Sequence, residues 1–385
     1  DLHSFPTRRS SDLWQIYPAI MALCAMIAVL VLSGCMKNSA NQVSDKDVKK
    51  LKNMEYEVGV LESSEKAKKS TLTYYDSDFK KVGVQTIPCC CDSDNFTQGE
   101  LYKNEFLSTT YRSPKSTQST PIVSVDANSH KIKEYKFSKE LDGEKWFTVS
   151  QDVLYATANS NGDTHLESYD MKSGEKKITT IKSGIVTDMN CDKKNIYGLG
   201  INLLDPKDNA PIYVIKKKSL KLVDTVDIGF PADSCSLLIH KNKLYIPLDR
   251  QDSKEKYASK LLIYNLKKKR KEEFINIRAN TTNNILRHRN RLFIALASPA
   301  DGRGKRMAIV DIKTKKIKYV KFKHHLSQVK IKGDKLYVLY NEYDNTTTLY
   351  RYKIRGDKFI KEKEKNVFSH SKGKDPYYVG TFFVR

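Results

Sequence analysis

A short β-rich run that ends in an apolar or tyrosine residue followed by a polar one recurs seven times along this chain. The copies are Tyr75-Asp76, Val125-Asp126, Tyr169-Asp170, Ile215-Lys216, Tyr264-Asn265, Val310-Asp311 and Tyr352-Lys353. Steps between the second members are 50, 44, 46, 49, 46 and 42 residues. A period of that length marks a repeat architecture in which each unit buries its apolar faces against its neighbours. A second run precedes most of these: Leu154-Tyr155, Ile196-Tyr197, Leu244-Tyr245, Leu292-Phe293 and Leu336-Tyr337. A variable polar loop separates the two runs, and a basic turn then leads to a further strand such as 176–181. Each repeat therefore reads as four strands, A to D. Stretches such as Leu336-Tyr-Val-Leu-Tyr340 are apolar on both alternating faces, so both faces of the sheet must be covered. Successive blades packed face to face supply that cover, and closure of the ring leaves only short edges.

The expected fold is all-β: one seven-bladed β-propeller of four-stranded antiparallel blades. Its first repeat opens at a B-like strand, 56–61, with no A strand before it, and its last is followed by a spare strand, 377–384. The spare strand is expected to pair beside 56–61 and so close the ring. The repeats resemble the YVTN-type propeller repeat of bacterial surface and secreted proteins, a WD40-like architecture. The residues that carry the resemblance are Leu154-Tyr-Ala-Thr-Ala-Asn159, Tyr169-Asp170 with Ser173-Gly174, Leu336-Tyr-Val-Leu-Tyr-Asn341, Val310-Asp311 with Thr314, and Gly229-Phe-Pro231. It spans roughly 54–385 and implies architecture while saying almost nothing about activity. A true WD40 repeat is disfavoured, since the chain has 2 tryptophans, Trp14 and Trp146.

Ahead of the repeats, Ala19 to Leu32 is an uncharged apolar run of the length of a signal-peptide core, too short to span a bilayer comfortably. Leu32-Ser33-Gly34-Cys35 follows at its end and resembles a bacterial lipobox, which implies that Cys35 is acylated and becomes the mature N-terminus. Residues 1–13, DLHSFPTRRSSDL, resemble a translated sequencing adapter and fit nothing downstream, so the native start is expected to have been replaced there. The expected organisation is thus 1–13 artefact, 14–34 lipoprotein signal peptide, 35–50 flexible polar tether and 51–385 propeller. The implied location is the extracytoplasmic face of the cell membrane, lipid-anchored.

The chain carries 68 Lys plus Arg against 45 Asp plus Glu, a formal net charge of +23. The charges before Cys35 (Asp1, Arg8, Arg9, Asp12) cancel, so the mature chain keeps this excess, which draws it toward anionic surfaces. Export makes nucleic acid an unsuitable partner and leaves anionic lipid or cell-wall polymer. In a propeller the A–B and C–D turns share one face. The A–B turns read Asp192-Lys-Lys-Asn195, His240-Lys-Asn-Lys243, His288-Arg-Asn-Arg291 and Lys332-Gly-Asp-Lys335. The C–D turns carry Lys80-Lys81, Lys176-Lys177, Lys216 to Lys218, Lys267, Lys268, Lys269, Arg270 and Lys271, and Lys315-Lys316. Residues 267–271 with Arg289 and Arg291 are the candidate anionic-surface contacts. The opposite loops vary in length and hold Glu62, Asp163 and Asp249 among their acids, the pattern of binding loops on a rigid scaffold.

No Gly-x-Ser-x-Gly elbow, His-Glu-x-x-His or P-loop is present. His324 and His325, with Asp142, Asp188, Asp233 and Asp375, fall where D–A loops would surround a channel mouth, the one place for a candidate ligand or metal site. Once Cys24 leaves with the signal and Cys35 carries lipid, five cysteines remain: Cys89, Cys90, Cys91, Cys191 and Cys235. An odd number cannot all pair within one chain, and no spaced partner supports a metal site. No cofactor is expected. The reading is a monomeric binding or scaffold propeller for a protein, peptide or glycan. A lactonase-like or quinoprotein-type enzyme and a sensor of another envelope assembly stand as alternatives.

Overall fold

A computed structural model describes Leu51 and residues 54–91, 99–111, 120–141, 145–202, 209–231, 236–249, 259–298, 302–341, 346–367 and 377–385. Cys35, its lipobox and the tether lie outside the described residues, as do Asp142, Asp233, Cys235 and Asp375.

The described chain forms seven four-stranded antiparallel sheets arranged as a propeller. Blades 2 to 7 each run through consecutive strands, with inner strands Glu100–Tyr102, Lys145–Ser150, Gly184–Cys191, Leu238–His240, Ile285–His288 and Gln328–Lys332. Blade 1 differs: its inner strand is Tyr378–Val384, the last in the chain, paired antiparallel to Val58–Ser64 with Val58 opposite Val384 and Val60 opposite Phe382. This is the closure expected from the unmatched first and last strands. It also shapes a residue choice. Gly59 sits against the Phe383 ring, where a Cβ would lie 2.3 Å from a ring carbon, so only glycine lets the closing strand approach.

Burial falls from the axis outward. The B strand Arg291–Leu296 and the C strand Arg306–Asp311 are buried along nearly their whole length, whereas the outer strand Arg270–Asn276 is almost entirely exposed. The outer strands of blades 5 and 7, Arg270–Asn276 and Lys358–Asn366, are rich in charged residues, which blunts those sheet edges against pairing with other chains. Seven apolar clusters make up the core, and each is one interface between neighbouring blades. Between blades 4 and 5, for example, Leu199, Ile212 and Val214 meet Leu244, Ile246 and Leu262. Between blades 7 and 1, Tyr337, Leu339 and Leu349 meet Val58, Val60 and Tyr75. Hence the double-sided hydrophobicity of the B and C strands, and the burial of their tyrosines.

The polar member of the recurring pair has a local cause. Asp76, Asp126, Asp170 and Asp311 each end a C strand, and each accepts two backbone N–H bonds from the turn that follows, at 2.6–3.0 Å. Asn265 does the same for Lys268 at 2.8 Å. These are Asx turns, which hold the chain through its reversal. Every C–D turn then passes through one left-handed residue: Phe79, His130, Gly174, Leu220, Lys269, Lys315 or Gly356.

Candidate functional site

The inner strands converge on a channel whose wall holds a cavity of about 400 Å³. Pairing register sets which residues share a level. Glu100 pairs with Leu107 two residues before the A–B turn of blade 2, and Lys330 pairs with Tyr337 two residues before that of blade 7. Both therefore stand at one height in the ring, separated by the inner strand of blade 1. Lys330 bridges that strand: its Nζ lies 5.6 Å from the Phe382 ring centroid and donates to the Gly99 carbonyl at 2.9 Å. Asp188 lies deeper, in the inner strand of blade 4, beside a register shift between Val186 and Asp188. Its carboxylate accepts the backbone N–H groups of Met189 and Leu237, each at 2.8 Å.

Protein encloses all three groups although each keeps a partial opening to the channel. Burial pushes the Glu100 carboxyl up to about 7, with Lys330 opposing the shift, and pushes Asp188 up to about 7 against its two backbone donors. Burial also depresses the Lys330 ammonium to about 8, an effect that Glu100 partly offsets. Cys191 lines the same cavity, its thiol raised by burial. Among the described residues no hydrogen bond is made to the Glu100 carboxylate, and Lys330 is the charge that acts on it.

Of the channel-mouth candidates, the structure places Asp188 in the channel, on a strand rather than a loop. His324 and His325 do follow the outer strand of blade 6, but His324 sits apart from Asp188, in a separate cleft with Tyr340, Tyr350, Tyr352 and Phe322, and His325 Nδ1 accepts the Gly304 backbone N–H at 2.8 Å. His324 stacks on Tyr350 with centroids 3.8 Å apart, and its Nε2 meets the Tyr352 hydroxyl at 2.5 Å. Burial lowers its basicity. Glu100 and Lys330 were not singled out from sequence. Their signal was available, a shared offset before the A–B turns of blades 2 and 7, but only once the strands are in register. No group of three or more His, Cys, Asp or Glu among the described residues could hold a metal ion. Hydrogen bonding to Cys91, together with burial, raises the Cys89 thiol well above its ordinary range.

The turn face carries the cationic turns. Lys267, Lys268 and Lys269 are exposed, whereas Arg270 and Lys271 begin the outer strand of blade 5, and Lys271 reaches the Ile228 carbonyl at 3.0 Å. Arg289 is paired with Asp334 at 2.9 Å, and Arg291 with Asp357 at 3.2 Å. On the opposite face, Asp249 is a buried structural acid bound by Thr282, and Glu62 is fully buried within a strand, so neither is displayed. Among the described residues no helix is long and apolar enough to cross a membrane.

No family model and no curated protein matches this sequence. Among solved structures, the chain is similar to the computationally designed Ika8 protein, at 10% identity and a TM-score of 0.55 over 86% of this chain and 96% of that one. It is similar also to a chain of the mitotic checkpoint complex, at 10% identity and a TM-score of 0.52, covering 89% of this chain and 87% of the other. At such identity the likeness is one of fold alone: the chain is a β-propeller whose architecture is compatible with a binding or scaffold role.

Proposed function

We propose that this chain is a lipid-anchored binding propeller on the extracytoplasmic face of a bacterial membrane, its turn face directed at anionic lipid or wall polymer and its loop face at a protein, peptide or glycan. The observation that carries this reading is the exposed run Lys267, Lys268 and Lys269 on the turn face, with Lys193, Lys194, Lys216 and Lys218 on neighbouring turns. The segment that enters blade 1 supports it: Leu51 and Met54 lie against Gly83, at the start of an outer strand and thus on the turn face. Lipid on Cys35 and positive charge would then act on the same surface. Each cation near such a surface contributes on the order of 1 kcal/mol, enough to reinforce a single lipid anchor.

Two measurements test this. Replacing Cys35 by Ser is expected to abolish incorporation of labelled fatty acid. Replacing Lys267, Lys268 and Lys269 by Glu is expected to weaken binding to anionic vesicles by roughly a hundredfold at low salt; unaltered binding would sink the surface reading. A second reading, a small ligand in the channel, is favoured by the Glu100 carboxylate. Native mass spectrometry showing a bound molecule at unit stoichiometry would shift the conclusion toward it.

A further inference from the structure

The turn face contains a cleft of about 520 Å³ between blades 3 and 4, lined by Lys177, Lys193, Lys194, Lys216, Lys217 and Lys218. Two acids, Asp170 and Glu175, also line it and offset two of the six lysine charges, so the lining stays cationic. Asp170 Oδ1 accepts from the backbone of its own turn, and Glu175 pairs with Lys177 at 3.2 Å. Lys193, Lys194, Lys216, Lys217 and Lys218 make no ion pair among the described residues.

Lys217 is the informative one. It is 8% exposed, and its ammonium is held by neutral oxygens only: Ser150 Oγ at 2.8 Å, the Asp192 carbonyl at 3.2 Å and Gln151 Oε1 at 3.4 Å. The Tyr155 ring lies 5.6 Å away. A buried charge without a counter-ion is costly unless something supplies one. Four exposed lysines around the same cleft raise that demand further, and a concave basic surface focuses its field on whatever anion enters. The cleft lining holds lysines and no arginine, hence compact point charges and no planar fork matched to a carboxylate. A tetrahedral anion with oxygens facing several directions fits such a ring of ammonium groups better.

We propose that this cleft is a phosphate-binding site, its floor charge supplied by Lys217 and its rim by Lys193, Lys194, Lys216 and Lys218. The assignment deepens the anionic-surface reading above by naming the group and the place it is held, and it rests on that reading for its biological source. The phosphate would come from a lipid headgroup, from a phosphodiester wall polymer or from free phosphate.

The test uses the full chain in detergent at low salt. Calorimetric titration with inorganic phosphate is expected to saturate at one per chain. Changing the exposed Lys193, Lys194 and Lys218 together to Gln is expected to weaken it at least about tenfold, while changing Lys267, Lys268 and Lys269 to Gln leaves it within about twofold. Lys217→Met is expected to match the first set; should it fail to fold, the exposed triple still decides. Absence of saturable binding, or equal losses in the two triples, overturns the site. The same proteins are then titrated with phosphatidylglycerol vesicles and with soluble poly(glycerol phosphate). The arm that loses tenfold with the cleft triple identifies the source, and loss confined to inorganic phosphate identifies the free anion. A wild-type chain that binds phosphate but neither vesicles nor polymer retains the cleft and refutes the surface reading. Vesicle binding that falls equally in both triples, with phosphate binding unchanged by either, retains the surface reading and refutes the cleft.

Discussion

At the scale of single residues, the C–D turn is where sequence and backbone meet most directly. Asp170 holds its turn with bonds to the N–H groups of Lys172 and Ser173, at 2.9 and 2.8 Å, and Gly174 then takes the left-handed conformation. Lys315 occupies the same position in blade 6 at φ 61°, where a side chain is strained. Asp170→Ala is therefore expected to destabilise the fold by about 1 kcal/mol, and Lys315→Gly to stabilise it by up to about 1 kcal/mol. Urea unfolding midpoints at constant slope check both. This part of the fold was legible without coordinates, because an Asp at a strand end bonds groups only two to four residues away. The Glu100 carboxyl was not legible, since Glu100 and Lys330 are 230 residues apart and come near one another only through the ring.

At the scale of strands and blades, the seam between blades 7 and 1 is reinforced by charge as well as by apolar packing. Glu57 accepts from Arg351 at 2.7 Å, from the Tyr337 hydroxyl at 2.5 Å and from Lys335 at 3.0 Å. Arg351 also bonds Glu362 at 3.1 Å and the Ser77 carbonyl at 2.7 Å. Burial alone would raise the Glu57 carboxyl, but these donors outweigh it and hold it below its ordinary value. A depressed folded-state value means stability that is present above the unfolded value and lost as pH falls through the folded one. Arg351→Ala would leave the carboxylate with Lys335 and the Tyr337 hydroxyl as its remaining partners and is expected to cost about 1.5–3 kcal/mol. It should also flatten the acid limb of the stability curve, measured by denaturant unfolding between pH 3 and 6. Lysine or arginine at 335 and 351 looks like any basic residue in this sequence; only the closed seam makes them partners of one acid.

At the scale of the whole molecule, closure and the channel govern behaviour. The last strand supplies Phe382 and Phe383, both buried, and Phe383 stacks on Phe106 of blade 2 at 4.6 Å. Removing 377–385 would expose the inner side of blade 1 and open the ring. The truncated chain is expected to lose its cooperative thermal transition, which calorimetry would show; an unchanged transition would mean that closure contributes little. The channel groups act in the opposite sense to Glu57. A carboxyl raised to about 7 binds its proton more tightly in the folded chain, so Glu100 and Asp188 favour folding at low pH, and that contribution falls away as pH rises from the usual carboxylate range to about 7. Lys330, depressed to about 8, favours folding increasingly as pH rises beyond that value toward its unfolded one. Glu100→Gln is therefore expected to reduce the decline in stability between pH 5 and 7, followed by urea midpoints; a decline of equal slope in the variant would assign it elsewhere.

The sequence by itself determined the period, the number of blades and the identity of the closing strand. Each follows from local pairing and from the need to cover both faces of every sheet, demands that neighbouring residues meet within one repeat. Tertiary structure alone decided which polar groups face one another. Asp188 stands in the channel wall and His324 in an aromatic cleft because strand register and blade packing set those directions. Lys217 became a buried charge because blade 3 covers it, a fact no spacing along the chain encodes.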